Sequence, residues 1–92
     1  MRALQNMRRA IREQRYRISS HANEEMSADD LVAEDIESLV LTGEIARRYT
    51  HDLRGTRYEV IGDTTDRRRA YVVCRFLPST ALLIITAYAQ ED

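Results

Sequence analysis

Lysine is absent from this chain of 92 residues: all 14 basic residues are arginine. Cysteine is nearly absent too. The single Cys74 excludes an internal disulfide and suits a reducing cytoplasm. With one cysteine and only two histidines, His21 and His51, a structural zinc site is not expected. The longest apolar run, Ala81 to Ile85, is far too short to span a bilayer, so no membrane contact is expected. The N-terminal arginines are followed by no apolar signal core, which argues against export. There is no Gly-rich phosphate loop, no metal-ligand spacing and no nucleophile elbow, and no cofactor is implied. There are also no repeats, low-complexity segments or internal linkers, so the chain reads as a single domain over 1–92.

What is present is a soluble, foldable composition: hydrophobic residues make up 43% and charged residues 32%, which argues against disorder. The net charge of −1 hides a strong segregation. Residues 1–20 hold six Arg and one Glu; residues 21–46 hold eight acids and no base; residues 47–75 hold eight Arg and four acids. Arginine's planar fork suits phosphate and carboxylate pairing, although a GC-rich genome accounts equally for an all-Arg content. The segregation is the stronger signal. Either the basic and acidic halves face partners of opposite charge, or they neutralise each other within the fold.

Periodicity predicts an arginine-rich helix over 2–14, with Leu4, Met7 (or Arg8) and Ile11 as a thin apolar stripe. It reads as a peripheral element beside a core over 15–92. Tyr16 to Ser19 alternates as a short strand. Helices follow over Ser20 to Ala28, with Ala22 and Met26 inward, and Ala33 to Thr42, with Ile36, Leu39 and Val40 buried and Gly43 as C-terminal cap. Strands are expected over Ile45–Thr50, Arg57–Ile61, Arg69–Leu77 and Ala81–Tyr88, with turns at 62–66 and 78–80. The run Leu82 to Ile85 is expected to lie centrally, with both faces covered. The expected fold is α+β, two or three N-terminal helices on a mainly antiparallel sheet of four to five strands.

His21 stands where a strand hands over to a helix. It reads as a general acid or base or a phosphate ligand, or alternatively as a helix-start residue satisfying a backbone group. Arg57 and Arg75 fall on strands, where an open sheet face would let them hold a scissile phosphate. The alternative is a solvated face with cross-strand pairs, for example to Glu59. Arg48 and Arg69 are expected to contact RNA together with Tyr58, Tyr71 and Thr86, while the triplet Arg67 to Arg69 reads as a solvated turn that adds non-specific attraction to nucleic acid. Tyr58, Tyr71 and Tyr88 could each stack on a base or sit half-buried in a core; Thr86 shares a face with Tyr88. Cys74 reads as a buried structural thiol.

The ordered set His21-Ala22-x-x-Glu25-Met26, Asp35-Ile36, Gly43-Glu44, Arg57-Tyr58, Gly62, Tyr71-Val72-Val73 and Ile85-Thr86-Ala87-Tyr88 resembles a small bacterial domain family of unknown function, number 4258. That family is similar to the RelE-like toxins, which share a fold with microbial ribonucleases. The resemblance implies a toxin of a two-component module, a metal-independent endoribonuclease acting on mRNA in the cytoplasm. It further implies neutralisation by a cognate antitoxin, often of zinc-finger type. By position, His21 would be acid, base or phosphate ligand, Arg57 and Arg75 would hold phosphate, and Thr86 or Tyr88 would line the site. The chain departs from the family pattern where it carries Glu25 and Asp29 in place of arginine, and Tyr71 in place of histidine. A second reading is a non-catalytic interaction module that uses its acidic helices as a partner surface. A third is a homodimer joined through the N-terminal helix.

Overall fold

The computed structural model describes residues 2–91. It shows three helices packed on a five-stranded, mainly antiparallel sheet: α1 (Ala3–Arg12), β1 (Tyr16–Ile18), α2 (Ser20–Ala28), α3 (Ala33–Thr42), β2 (Glu44–Tyr49), β3 (Arg57–Asp63), β4 (Arg69–Phe76) and β5 (Leu82–Ala89). The strand order is β1-β5-β4-β3-β2, and only β1 runs parallel to its neighbour, β5. No helix of the described residues is long and apolar enough to cross a membrane.

The amphipathic stripes decide which side is covered. Leu39, Val40 and Ile36 from α3 and Met7, Ala10 and Ile11 from α1 are all buried against one face of the sheet. They meet Val60 of β3, Val72 and Cys74 of β4, and Leu82, Ile84 and Ala87 of β5. The first helix is therefore a core element, not a peripheral one. Met7 is fully buried, with its sulfur 3.9 Å from that of Cys74.

Local chemistry fixes the helix ends. Ser19 caps α2 by accepting the Ala22 N–H at 3.0 Å, while its own hydroxyl donates to the carbonyl of Ile85 at 2.9 Å. At the start of α3, the Asp35 carboxylate accepts the Val32 N–H at 3.0 Å and the Thr65 hydroxyl at 2.7 Å. Two arginines close the other ends: Arg8 donates to the carbonyl of Gly43 beyond α3, and Arg68 to those of Asp29 and Asp30 beyond α2. Arg68 is thus a clamp rather than part of a solvated turn.

Two further expectations change. Gly62 is not in a turn but inside β3, opposite Ala70. Its reason for being glycine is close approach, since a Cβ there would collide with the Leu39 carbonyl oxygen and stand 3.0 Å from the Gly43 Cα. Likewise β5 is covered on one face only: Leu82 and Ile84 are buried, whereas Leu83 and Ile85 on the strand between and beyond them are half-buried.

Candidate functional site

The face of the sheet turned away from the helices carries the chemistry. Cross-strand partners share a face, so the strand register lays out its rows. Arg17 of β1 stands opposite Leu83, and Leu83 opposite Arg75 of β4. Tyr58 pairs with Cys74, so Arg57 and Arg75 meet at the next position, and Arg57 stands opposite Tyr49 of β2. One row therefore runs Arg17, Leu83, Arg75, Arg57, Tyr49 across all five strands. The next row holds Thr86, Val73, Glu59 and Arg47, and the one after that Tyr88, Tyr71 and Ile61.

Arg57 is held in place from two sides. Its guanidinium lies 5.3 Å from the ring centroid of Tyr49, within cation–π range. Its Nε is 3.1 Å from Asp52 Oδ2, an ion-pair contact. That N–H is nonetheless buried without an aligned hydrogen-bond acceptor. Asp52 lies in the loop between β2 and β3, where it accepts the Arg54 N–H at 2.8 Å. That hydrogen bond outweighs partial burial and, with the charges of Arg54, Arg57 and Arg75, holds the carboxyl below its ordinary range. Arg75 and Arg47 have no ion-pair partner among the described residues. A cleft of about 440 Å³ beside this corner is lined by Arg48, Tyr49, Thr50, His51, Asp52 and Arg57.

Tyr71 and Tyr88 stack on each other, with centroids 5.2 Å apart and planes 19° from parallel. Burial pushes the Tyr88 phenol up, helped by the charge of Glu59 and by the neighbouring phenols of Tyr71 and Tyr49. Tyr88 therefore keeps its proton more firmly than a free tyrosine.

The structure brings Arg57, Arg75, Tyr71, Thr86 and Tyr88 onto this open face. It takes two of the expected RNA contacts away. Tyr58 is 9% exposed on the helix side, with the Arg48 guanidinium 5.9 Å above its ring, so neither belongs to the open face. A strand's period of two separates Tyr58 from Arg57 and Glu59. Arg69 is paired with Asp63 at 3.0 Å, one row beyond the tyrosines. His21 is exposed on the rim beside β5, its Nε2 3.2 Å from Glu25 Oε1. No hydrogen bond or ion pair joins it to Arg57 or Arg75.

The sequence offers Glu59 only as a pairing partner for the strand arginines, not as a reacting group, and it gives no sign of the cleft position of His51, because no periodic signal marks the loop that carries it. Cys74 is a buried thiol, and burial pushes its pKa up to about 12. No group of three or more His, Cys, Asp or Glu among the described residues is placed to hold a metal ion.

No curated protein and no solved structure matches the chain. Residues 18–89 match a family described as Domain of unknown function (DUF4258), the stretch that runs from the end of β1 through the last strand and includes most of the open face. The chain belongs to that family.

Proposed function

We propose that the open face binds a single RNA strand and that the protein is a RelE-like endoribonuclease, the toxin of a two-component module held in check by a cognate antitoxin. The observation that carries this reading is the row of Arg17, Arg75 and Arg57 lying across the sheet, two rows from the stacked Tyr71 and Tyr88. Cations placed where phosphate charge grows, beside aromatic faces that accept unstacked bases, are what cleavage of a single strand requires. In this reading Glu59, one row from the arginines, takes the proton of the ribose 2′-OH. The freed 2′-oxygen attacks the adjacent phosphorus, and Arg57 and Arg75 stabilise the charge that develops on the phosphoryl oxygens. His21, on the rim, contacts the strand as it leaves β5.

The second reading, a non-catalytic interaction module, draws support from the same face, because tyrosine and arginine are also the side chains that dominate protein interfaces. Its acidic-helix version is weaker. Glu25, Asp29, Asp35 and Glu37 of the acidic segment already accept hydrogen bonds from within the fold.

Conditional expression in a bacterial host separates the two. Growth arrest with mRNA cleavage, relieved by Arg57→Ala, is the expected result. Harmless accumulation of folded wild-type protein would sink the toxin reading and leave the interaction module.

A further inference from the structure

We infer that His51, rather than His21, is the group that protonates the leaving oxygen. The inference rests on the reading that the open face cuts RNA, and it concerns which imidazole serves that cut. His51 lines the cleft that also contains Arg57, whereas His21 stands on the opposite rim, paired with Glu25.

In-line displacement at phosphorus puts the attacking and leaving oxygens on opposite sides. The groups that remove and supply their protons must be divided the same way. Glu59 lies two residues from Arg57 along β3, about 7 Å at the usual strand rise. The loop carrying His51 enters β3 from the other side of Arg57. Arg57 therefore lies between a carboxylate and an imidazole. With its Nε turned to Asp52, the Arg57 side chain is still 41% exposed, so the rest of its guanidinium is open to a phosphoryl oxygen.

The loop itself is tied down. Asp52 accepts the Arg54 N–H at 2.8 Å through its side chain and the Gly55 N–H at 3.1 Å through its carbonyl. Its carboxylate reaches Arg57, so the residue after His51 is anchored to the arginine row. The 2′-O–H proton passes to Glu59, a bond forms between the 2′-oxygen and phosphorus, the bond from phosphorus to the 5′-oxygen breaks, and that oxygen takes a proton from the His51 imidazolium. The products are a 2′,3′-cyclic phosphate and a free 5′-hydroxyl.

A leaving group that needs no proton tests this role. Steady-state kcat/KM is measured on a dinucleotide and on a nucleoside 3′-(p-nitrophenyl phosphate), for wild type, His51→Ala and Glu59→Gln, each checked for native circular dichroism. His51→Ala is expected to lose on the order of 10²- to 10⁴-fold on the dinucleotide, and to stay within a few-fold of wild type on the nitrophenyl ester. Glu59→Gln is expected to lose activity on both. Unchanged dinucleotide cleavage by His51→Ala, or an equal loss on both substrates, overturns the assignment and leaves the nuclease reading standing. A wild type that cleaves neither substrate overturns both.

Discussion

The carboxylate of Glu25 accepts the backbone N–H of Ala87 at 3.2 Å, and one turn further, just past the end of α2, the carboxylate of Asp29 accepts the N–H of Ala89 at 2.8 Å. β1 covers this edge of β5 only from Leu82 to Ile84. Beyond it, two acidic side chains stand in for the missing strand. The acids at these two family positions thus have a structural role, and α2 is stitched to the sheet by them.

Asp29→Ala should therefore destabilise the fold by about 1–3 kcal/mol, since it leaves a strand N–H without its acceptor. For a domain of this size that is a fall in Tm of about 4–8 °C per kcal/mol. Hydrogen exchange at the Ala89 amide should accelerate more than exchange at Val72 in the strand interior. A Tm unchanged from wild type would show that water replaces the carboxylate at no cost.

The limits of both central helices were legible because their signals are local: Gly43 after α3, and apolar residues at helical spacing within each. Gly62 misled because a glycine reads as a break, whereas here it answers to a carbonyl oxygen 23 residues earlier in the chain. The parallel pairing of β1 with β5 is invisible locally, since it joins the two ends of the chain. Site residues followed the same division. Alternation carried Arg57, Arg75, Tyr71 and Tyr88, and it would have excluded Tyr58 had the covered face been known. His51 lies in an aperiodic loop whose position depends on Asp52 meeting Arg57.

Gly62→Ala tests the close approach of α3 to the sheet. The added methyl would meet the backbone carbonyl of Leu39, which cannot swing away as a side chain could. The expected cost is about 1–3 kcal/mol, read from the urea midpoint. Gly55 is a useful contrast. A Cβ there meets nothing within 4 Å, but its φ of +112° disfavours any side chain, so Gly55→Ala should act through loop strain alone.

Alkaline pH should weaken the fold through Tyr16. Burial raises its phenol to about 12, reinforced by its hydrogen bond to Glu37 and by the charges of Glu37 and Glu34. The folded state thus holds this proton more tightly than the unfolded chain. The resulting stabilisation is fully present below the ordinary tyrosine range near 10 and is lost as pH rises toward about 12. The buried Cys74 thiol acts in the same direction. Urea midpoints should fall between pH 9 and 11.5, and the fall should be shallower in Tyr16→Phe. Parallel curves for the two proteins would rule Tyr16 out as a source of the loss.

Binding to RNA offers the most direct reading of the open face, because its two kinds of side chain leave different signatures. Each phosphate neutralised by an arginine releases a counterion, so log Kd for a single strand depends on log salt with a slope of about 0.7 per contact. Removing Arg75, which has no ion-pair partner among the described residues, should lower that slope by about one contact. Arg57→Ala should lower it less, because Asp52 already compensates part of its charge. Tyr71→Ala should instead leave the slope unchanged and weaken binding by about 1–3 kcal/mol, the usual worth of one stacked base. Fluorescence anisotropy with a labelled pyrimidine oligonucleotide between 50 mM and 200 mM salt separates the two effects. A Tyr71→Ala variant that binds like wild type would confine RNA to the arginine row, and equal slopes for Arg75→Ala and wild type would place the phosphates elsewhere.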